Sequence, residues 1–403
     1  MSIITGQSPA GITQSPAGIT WNPSLDALPF SPIRRMFNAA AEMKDVVHLS
    51  IGQPDFGPPP NVVEAYVRAV TEGRVRYELD AGLPALREAI AAFYGHLYQI
   101  NLTADNVLIT TGCCQAMFMA LTGAVRPGGE VIMIEPVFVL AHIAEMVPGA
   151  TIRRIVTTAE NGYQPDPQEV IDAMNDRTCA VMINSPGNPT GTIYPRETMA
   201  AICRAATERG IAVISDEVYD RLILDETPYA SALTCCPSLD GLIMTSSASK
   251  TYAMPGARIG WVISSTQNIS ALQRYHMFIS TTENTPAQYA VLEAFRGEQG
   301  AVRAMVSEYR RRRDRIVELI AETPCLTGYR PGGAFFVMPS LPRGSDSTDV
   351  ALRLLRETGV CTIPGDAFGA SCRNALRISY STSLDQIEKA FERMTPWLAR
   401  QSF

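Results

Sequence analysis

Short apolar runs alternate with helical stretches between about residues 105 and 264. In order, the runs are NVLIT, EVIMIE, TIRRIV, CAVMINS, IAVISDEVY, GLIMTSS and RIGWVIS. This alternation predicts an α/β unit with a mostly parallel, seven-stranded sheet and helices on both faces. Ligands of such sheets bind beyond the carboxyl ends of the strands. We therefore expect the functional residues where these runs end.

The flanking segments predict a second, smaller α+β domain. Apolar residues from Val302 to Ile320 recur at helical spacing, and the strand candidates GGAFFVMP and ALRISYS follow. The charge run Arg310 to Arg313 within this helix is expected to face solvent. A helix predicted over SPIRRMFNAAAEM cannot bury its own apolar face, so it should pack on the C-terminal unit or on a partner subunit.

These patterns divide the chain into four parts. We expect a flexible tail over 1–23, an N-terminal segment of the small domain over 24–60, a large domain over 61–300 and a C-terminal small domain over 301–403. The tail contains a tandem repeat, QSPAGIT at 7–13 and again at 14–20, and such a composition orders poorly by itself.

Composition and charge favour small-molecule chemistry. The 403 residues are 46% hydrophobic and 18% charged, and the formal net charge is −6. This balance gives no electrostatic reason to expect nucleic acid or an anionic membrane as a partner. No apolar stretch is long enough to span a bilayer, and the N-terminus has no signal core.

The cysteines and histidines indicate neither disulfides nor a metal. Nine cysteines, including the adjacent pairs Cys113 with Cys114 and Cys235 with Cys236, form no plausible disulfide framework, which favours a reducing, cytoplasmic setting. No cysteine pair has ligand spacing. The histidines are isolated in sequence and expected to be structural: His48, His96, His142 and His276.

The strongest local sign of chemistry is Lys250. It follows the predicted strand GLIMTSS in the segment SASK and precedes AMPGARIG, where small residues let a bulky ligand approach. A lysine forms a Schiff base through its neutral amine, and burial beside other cations lowers its pKa. Most lysines are solvated surface residues, so the neighbouring motifs decide the interpretation.

Two further strand ends supply those neighbours. Asp216 and Tyr219, in SDEVY, end the apolar run IAVIS, where a buried carboxylate is costly without a cationic partner. A protonated pyridine nitrogen is such a partner, and the charged ring can then accept electron density from the α-carbon of a substrate. Asn188 lies in the turn-forming sequence NSPGNPTG after another strand. An amide and a phenol directed at one ring oxygen account for both motifs.

The motifs NSPGNPTG, SDEVY, SASKTYAMPGARIGW and ALRISYS, in this order, resemble those of the class I/II aminotransferases of PLP-dependent transferase fold type I. PLP is pyridoxal 5'-phosphate. The resemblance runs from about residue 30 to the C-terminus and includes the bacterial aspartate and aromatic aminotransferases. It implies that Lys250 carries PLP as a Schiff base and moves the substrate proton. It also implies that Asp216 pairs with the pyridine nitrogen, and that Asn188 and Tyr219 bond the ring hydroxyl.

The resemblance also implies the residues that hold the phosphate and the substrate. Arg258 and Ser247 would hold the phosphate of PLP. Arg377, in ALRISYS, would clamp the substrate α-carboxylate through a bidentate pair. Gly52, in SIGQPDFGPP, would approach the same carboxylate through its backbone, and Asn188 would also contact the substrate.

The segment GCCQAM departs from the family pattern. Gly112, Cys113 and Cys114 stand where the family begins a helix whose backbone N–H groups cradle the phosphate. Cys113 keeps those backbone donors, whereas Cys114 offers only a weak S–H donor. Tolerated drift and a specialised subfamily are both open interpretations, and the first is preferred.

Two aromatic residues complete the implied site. Phe138, in EPVFV, falls where the family stacks a ring on the cofactor, although a core role fits it nearly as well. Tyr77 matches the tyrosine that reaches the phosphate of the neighbouring subunit, which implies a homodimer with shared sites. The run TTENTPAQ is expected near the partner's site, with Thr285 as a candidate phosphate contact.

Transamination from an L-amino acid to a 2-oxo acid is the leading functional interpretation. The alternative is β- or γ-elimination or replacement, as in the aminocyclopropane-carboxylate synthases and cystine lyases, because the same residues serve both reactions. A DNA-binding regulator is disfavoured, since no winged-helix or helix-turn-helix length precedes residue 30. No arginine is clearly positioned for an acidic side chain, which favours a neutral or aromatic substrate.

Overall fold

The structure is a computed structural model that describes residues 32–226 and 228–401, apart from the side chains of residues 139 and 141. The predicted tail over 1–23, with its heptapeptide repeat, lies outside the described residues. None of the described helices is both long and apolar enough to cross a membrane.

The described residues contain twelve strands. They are β1 (Val47–His48), β2 (Val107–Thr110), β3 (Glu130–Glu135), β4 (Thr151–Val156), β5 (Thr178–Asn184), β6 (Ala212–Asp216), β7 (Leu242–Ser247), β8 (Gly260–Ser264), β9 (Phe336–Val337), β10 (Val360–Cys361), β11 (Ile363–Pro364) and β12 (Leu376–Ser379).

Thirteen α-helices lie in the same ranges. They are α1 (Pro32–Ala41), α2 (Pro60–Thr71), α3 (Pro84–Tyr98), α4 (Gly112–Ala124), α5 (Pro167–Ala173), α6 (Arg196–Glu208), α7 (Ala232–Cys235), α8 (Ala248–Thr251), α9 (Thr266–Ile279), α10 (Thr285–Arg296), α11 (Gly300–Glu322), α12 (Ser347–Thr358) and α13 (Leu384–Leu398).

The central sheet has seven strands in the order β2-β8-β7-β6-β5-β3-β4. Strands β7, β6, β5, β3 and β4 run parallel, and β8 is antiparallel to both of its neighbours. These strands coincide with the seven predicted apolar runs, so the predicted fold class is confirmed. The carboxyl ends of β5, β6 and β7 lie side by side, with Asn184 paired to Asp216 and Asp216 to Thr245.

Both faces of this sheet are covered because successive side chains of a strand point to opposite sides. Met182 and Ile214 belong to one apolar cluster, whereas their neighbours Val181 and Val213 belong to a second cluster on the other face. Each face therefore buries its own layer of helices, as expected for runs that are apolar throughout.

The segment before the large sheet packs on the C-terminal part of the chain. Strand β1 pairs in parallel with β10, through Val47 opposite Val360, and α1 packs against β11. Strand β12 lies between β11 and β9 in a separate antiparallel sheet. This arrangement brings α1 and β12 to the same side of the large sheet as the ends of β5 and β6.

The arginine run of α11 is solvated only in part: Arg310 and Arg311 are exposed as expected, whereas Arg312 and Arg313 are buried, contrary to expectation. Arg313 is only 1% exposed; it pairs with Asp225 and Asp314 and donates to the carbonyl of Pro331. Arg312 is buried as well and pairs with Asp55 and with Glu308. Acidic partners on three different segments neutralise the two cations, and a helical charge pattern cannot reveal such partners.

Candidate functional site

A cavity of about 550 Å³ lies at the carboxyl ends of β5, β6 and β7. Most of the sequence-predicted site residues line it: Gly52, Cys113, Cys114, Phe138, Asn188, Asp216, Tyr219, Ser247, Lys250, Arg258 and Arg377. They come from distant parts of the chain, and the crossover topology of the sheet brings them together.

Asp216 forms the floor of the cavity as the last residue of β6. Its carboxylate is 6% exposed and accepts hydrogen bonds from the Val218 N–H (3.3 Å) and the Cys113 thiol (3.6 Å). Burial raises the pKa of Asp216 to about 6, although these two donors and the Lys250 charge act in the opposite direction. No cationic side chain among the described residues forms an ion pair with it. The carboxylate is thus poised for a positively charged ligand.

Lys250 extends into the cavity from the short helix α8, directly after β7. Its Nζ donates a hydrogen bond to the carbonyl of Gly52. Burial lowers the pKa of Lys250 to about 8, with further lowering from the charges of Arg377 and Arg258. At pH 7 about a tenth of this amine is therefore unprotonated, and nucleophilic and base chemistry requires that form.

Arg377 in β12 forms the opposite wall and is buried. It donates to Asn188 Oδ1 (3.1 Å) and to the carbonyl of Ser50 (2.7 Å), and its guanidinium lies over the ring of Phe336 at 4.6 Å. The Nε atom is buried and has no hydrogen-bond partner. Burial lowers the pKa of Arg377 to about 10. An unused donor on a buried cation fits an anionic ligand.

One end of the cavity combines the start of α4 with Arg258. Gly112 begins α4 with a φ of +72°, and a Cβ there would lie 2.4 Å from Arg258 Nη2. Arg258 donates to the carbonyls of Pro255 (3.0 Å) and Thr111 (3.4 Å). Helix N-terminal N–H groups beside a guanidinium make an anion site. Ser247 lies nearby, where its hydroxyl accepts from the Ser249 N–H and caps α8.

The two cysteines of α4 point in different directions. The Cys113 side chain is buried, and its sulfur lies 3.4 Å from Thr245 Oγ1 as well as 3.6 Å from Asp216 Oδ1. Burial raises the pKa of this thiol well above its usual range, so it remains a neutral donor. Cys114 is exposed and lines the cavity. The thiol of Cys113 therefore contacts the floor carboxylate, which the sequence did not reveal.

Tyr219 and Phe138 supply aromatic walls. Tyr219 is buried with edge contacts to Phe335 and Phe336, and burial raises its pKa far above the usual value. Phe138 is half-buried and lines the cavity. Both aromatic side chains are therefore placed to contact a planar group bound in the cavity.

Two predicted residues lie away from this cavity, whereas Gly112 does not line it but lies against its Arg258. Tyr77 is 85% exposed and does not line it. Thr285 is buried and donates to the carbonyl of Arg76 at 2.7 Å, the residue before Tyr77. Within one subunit, the structure therefore does not bring either residue to the predicted phosphate site.

Several cavity residues were not singled out from the sequence. Helix α1 contributes Ile33, Arg34 and Phe37, and Leu140 lies in the same wall. The sequence pattern predicted α1 but did not show which of its side chains face the cavity. Other unpredicted members are Ser50, Val218, Ser249 and Pro255, and all four lie within motifs that were recognised.

Comparisons with known proteins decide the family. The family model for aminotransferases of class I and II matches residues 44–394. An aspartate aminotransferase of Pyrococcus horikoshii is 35% identical, over 90% of this chain and 93% of the relative. The chain belongs to the class I and II aminotransferases. An aspartate/prephenate aminotransferase of Thermus thermophilus is 36% identical, over 88% and 92% of the two chains.

Solved structures agree with this family. An aspartate aminotransferase of Thermotoga maritima superposes with a TM-score of 0.89 at 32% identity, covering 94% of this aminotransferase and all of the other chain. An alanine aminotransferase of Pyrococcus furiosus gives the same TM-score at 27% identity and equal coverage. These relatives support aminotransferase function and do not favour the elimination or replacement alternative.

As a member of this family, the chain is a PLP-dependent enzyme, and its cavity has matching groups for each part of that cofactor. The α4 terminus with Arg258 suits a phosphate, the unpaired Asp216 suits a basic ring nitrogen, and the amine of Lys250 suits an aldehyde. These three groups lie in one cavity, so the residues present fit PLP.

The buried ammonium of Lys250 should destabilise the cofactor-free protein. An unfolded lysine titrates near 10.5 and the folded one near 8, so the unfolded state binds more protons between these values. We expect Lys250→Met to raise the free energy of unfolding by about 1–3 kcal/mol below pH 8. The gain should shrink as pH rises toward 10.5. Urea unfolding of both apo-proteins from pH 7 to 10.5 measures this difference; a gain independent of pH would contradict the assigned pKa.

Proposed function

We propose that this cavity transfers an amino group from an L-amino acid to a 2-oxo acid, with Lys250 as the residue that binds PLP and moves the proton. The observation that carries the proposal is the position of Lys250. Its amine, with a pKa of about 8, shares one cavity with the Asp216 carboxylate and the Arg377 guanidinium. These are a base, an electrostatic partner for a ring and an anchor for a carboxylate.

Individual residues would hold the cofactor as follows. Asp216 would keep a proton on the ring nitrogen, while Asn188 and Tyr219 would bond the ring hydroxyl and Phe138 would stack on the ring. The N–H groups of Gly112, Cys113 and Cys114 would hold the phosphate together with Arg258 and Ser247. All of these residues except Gly112 line one cavity, and Gly112 lies against Arg258, which supports these roles.

Bound PLP supplies an electron-accepting ring that stabilises negative charge at the substrate α-carbon. Lys250 Nζ would take the proton from that carbon, and a pKa near the working pH suits an amine that both accepts and returns a proton. The Gly52 carbonyl accepts a hydrogen bond from the unmodified Nζ and would orient the amine once substrate has displaced it from PLP.

Arg377 would bind the substrate α-carboxylate. Two of its nitrogens are engaged by Asn188 and Ser50, which fixes the plane of the guanidinium. The unpartnered Nε leaves one donor edge available for a carboxylate. Gly52 lines the same cavity, and its backbone would approach the same carboxylate. A Cβ at this position would lie 3.3 Å from the Phe336 ring, so a larger residue would be crowded there.

The side-chain end of the cavity favours neutral and aromatic amino acids as substrates. Apolar groups of Ile33, Phe37, Phe138 and Leu140 form this wall. Arg34 lies in the same wall, so an acidic amino acid is the second candidate. Relatives named for aspartate in Pyrococcus horikoshii and for alanine in Pyrococcus furiosus fit both candidates.

The enzyme is proposed to act as a homodimer. Large apolar side chains are exposed on α2, on the segment after it and at the end of α9, including Val67, Tyr77 and Phe278. Hydrogen bonds from Gln273 to Asp80 and from Thr285 to Arg76 join these segments into one surface. A second copy would cover this surface, and Tyr77 would then reach the partner's phosphate site.

Two broader assignments accompany this function. Residues 24–60 and 301–403 are proposed to form one small domain beside the large domain over 61–300, which is supported by the β1 to β10 pairing. A cytoplasmic location is proposed because all nine cysteines are free thiols.

Removal of the Arg377 guanidinium should weaken substrate binding selectively. A charge-assisted pair contributes on the order of 1.5–3 kcal/mol, so Arg377→Ala should lower kcat/KM by about 10- to 100-fold or more. The affinity for PLP should stay within about threefold of the native value. Steady-state kinetics and PLP titration measure both quantities. Arg373→Ala, an exposed arginine just before β12, is the matched control; an unchanged KM in Arg377→Ala would contradict the proposal.

Hybrid dimers should reveal whether Tyr77 acts across the interface. Tyr77→Ala homodimers should lose most activity, since loss of a bond to a phosphate weakens PLP binding by about 10- to 100-fold. Lys250→Ala homodimers should lose most activity because they lack the residue that binds PLP and moves the proton. A hybrid of the two, purified by two different affinity tags, has one intact site and should regain about half of the native activity per dimer. A hybrid no more active than the mixed homodimers would show that Tyr77 does not serve the partner.

A further inference from the structure

A wholly buried histidine–glutamate pair lies behind the start of α4. His276 Nε2 in α9 and Glu283 Oε1 in the loop before α10 are 2.7 Å apart, and both side chains have 0% exposure. The second oxygen of Glu283 and the Nδ1 of His276 have no hydrogen-bond partner. Burial of such a pair is costly, and an apolar pair of similar volume would often serve packing as well. Its position therefore points to a use other than packing.

Glu283 binds the residue that precedes the helix. Thr111 Oγ1 donates to Glu283 Oε1 at 3.1 Å, while the hydroxyl of Ser280 lies farther away at 3.4 Å. Thr111 occupies the N-cap position of α4, and its side chain makes no capping bond to the helix itself. The hydroxyl is thus directed away from α4 and toward the buried pair.

The backbone of Thr111 contacts the other half of the phosphate site. Its carbonyl accepts from Arg258 Nη2 at 3.4 Å, and Gly112, the next residue, lies against the same guanidinium. A shift of Thr111 would therefore move both the first N–H groups of α4 and the cation that faces them. Anion binding at a helix terminus depends on the aim of these N–H groups.

His276 fixes the position of the Glu283 carboxylate. The Nε2 atom of His276 lies 2.7 Å from Glu283 Oε1, which is the same oxygen that accepts a hydrogen bond from Thr111 Oγ1. A carboxylate held in this way presents a fixed acceptor to the Thr111 hydroxyl.

We propose that Glu283, paired with His276, is a positioning residue that acts through Thr111 to align the α4 terminus and Arg258 with the phosphate of PLP. This inference rests on the proposed function, because it assumes that the phosphate binds there. It assigns a role to two residues that do not line the cavity.

The test compares PLP with pyridoxal, which lacks the phosphate. Both ligands are titrated into full-length protein after dialysis has removed the cofactor, and the ratio of Kd for pyridoxal to Kd for PLP measures the phosphate contribution. Thr111→Val removes the hydroxyl at nearly constant shape and should lower this ratio at least about fivefold, as expected for loss of a hydrogen bond to a charged group. Thr111→Ser keeps the hydroxyl and should preserve the ratio within about twofold.

A control variant and a second test variant show whether the effect is specific to Thr111 and Glu283. Thr122→Val alters another threonine of α4, whose hydroxyl donates to the Phe118 carbonyl, and should leave the ratio unchanged. Glu283→Gln keeps the shape of the side chain and should lower the ratio. The double variant Glu283→Gln with Thr111→Val should lower the ratio no further than the larger of the two single effects. An unchanged ratio in both Thr111→Val and Glu283→Gln, or a parallel loss of both ligands, would overturn the inference. A native ratio near one would instead refute the phosphate site itself.

Discussion

The buried carboxylate of Asp216 is the constraint on which the site depends. The carboxylate lies at the end of a central strand, and burial raises its pKa to about 6. Among the described residues, no cationic side chain forms an ion pair with it. Only a bound cation can stabilise the ionised form fully. A protonated ring nitrogen satisfies this requirement, and the remaining groups of the cavity are arranged around a ring in that position.

The charged forms of Lys250 and Arg377 are destabilised as well, since burial lowers the pKa of each. The fold thus retains three destabilised charges in one cavity, a pattern typical of active sites.

Sequence patterns predicted the fold and the floor of this site. Continuous apolar runs located all seven sheet strands, and polar residues at two run ends identified Asp216 and Asn188. Arg377 was predicted from the family resemblance rather than from physical reasoning, because no local sequence pattern shows that β12 faces the end of β6.

Tertiary contacts explain the features that the sequence did not reveal. The burial of Arg313 depends on Asp225, and the inward turn of Cys113 depends on Thr245 and Asp216. His276 is isolated in sequence, yet a turn after α9 brings Glu283 back onto it.

The reaction type is better determined than the substrate. Relatives named for aspartate, for aspartate and prephenate, and for alanine all resemble this chain, so the resemblance does not select one substrate. In the proposed function, selectivity would come from the cavity residues of α1 and of the segment around Phe138, where Arg34 lines the cavity together with apolar side chains. In a homodimer, the surface around Tyr77 would lie at the interface, so a partner subunit can also shape this part of the cavity.

The loop from Ser280 to Thr285 contacts both Thr111 and Arg76. It therefore links the phosphate end of one cavity to the arm proposed to enter the other.

The most direct test of the central claim is the amount of 2-oxo acid released from an L-amino acid when no acceptor is present. The native enzyme, loaded with PLP, should release about one 2-oxo acid per subunit and then stop until a second 2-oxo acid is added, whereas Lys250→Ala should release none. Ping-pong amino-group transfer requires this stoichiometry. Continuous release of 2-oxo acid with ammonium would contradict transamination, and native release from Lys250→Ala would contradict the role assigned to Lys250.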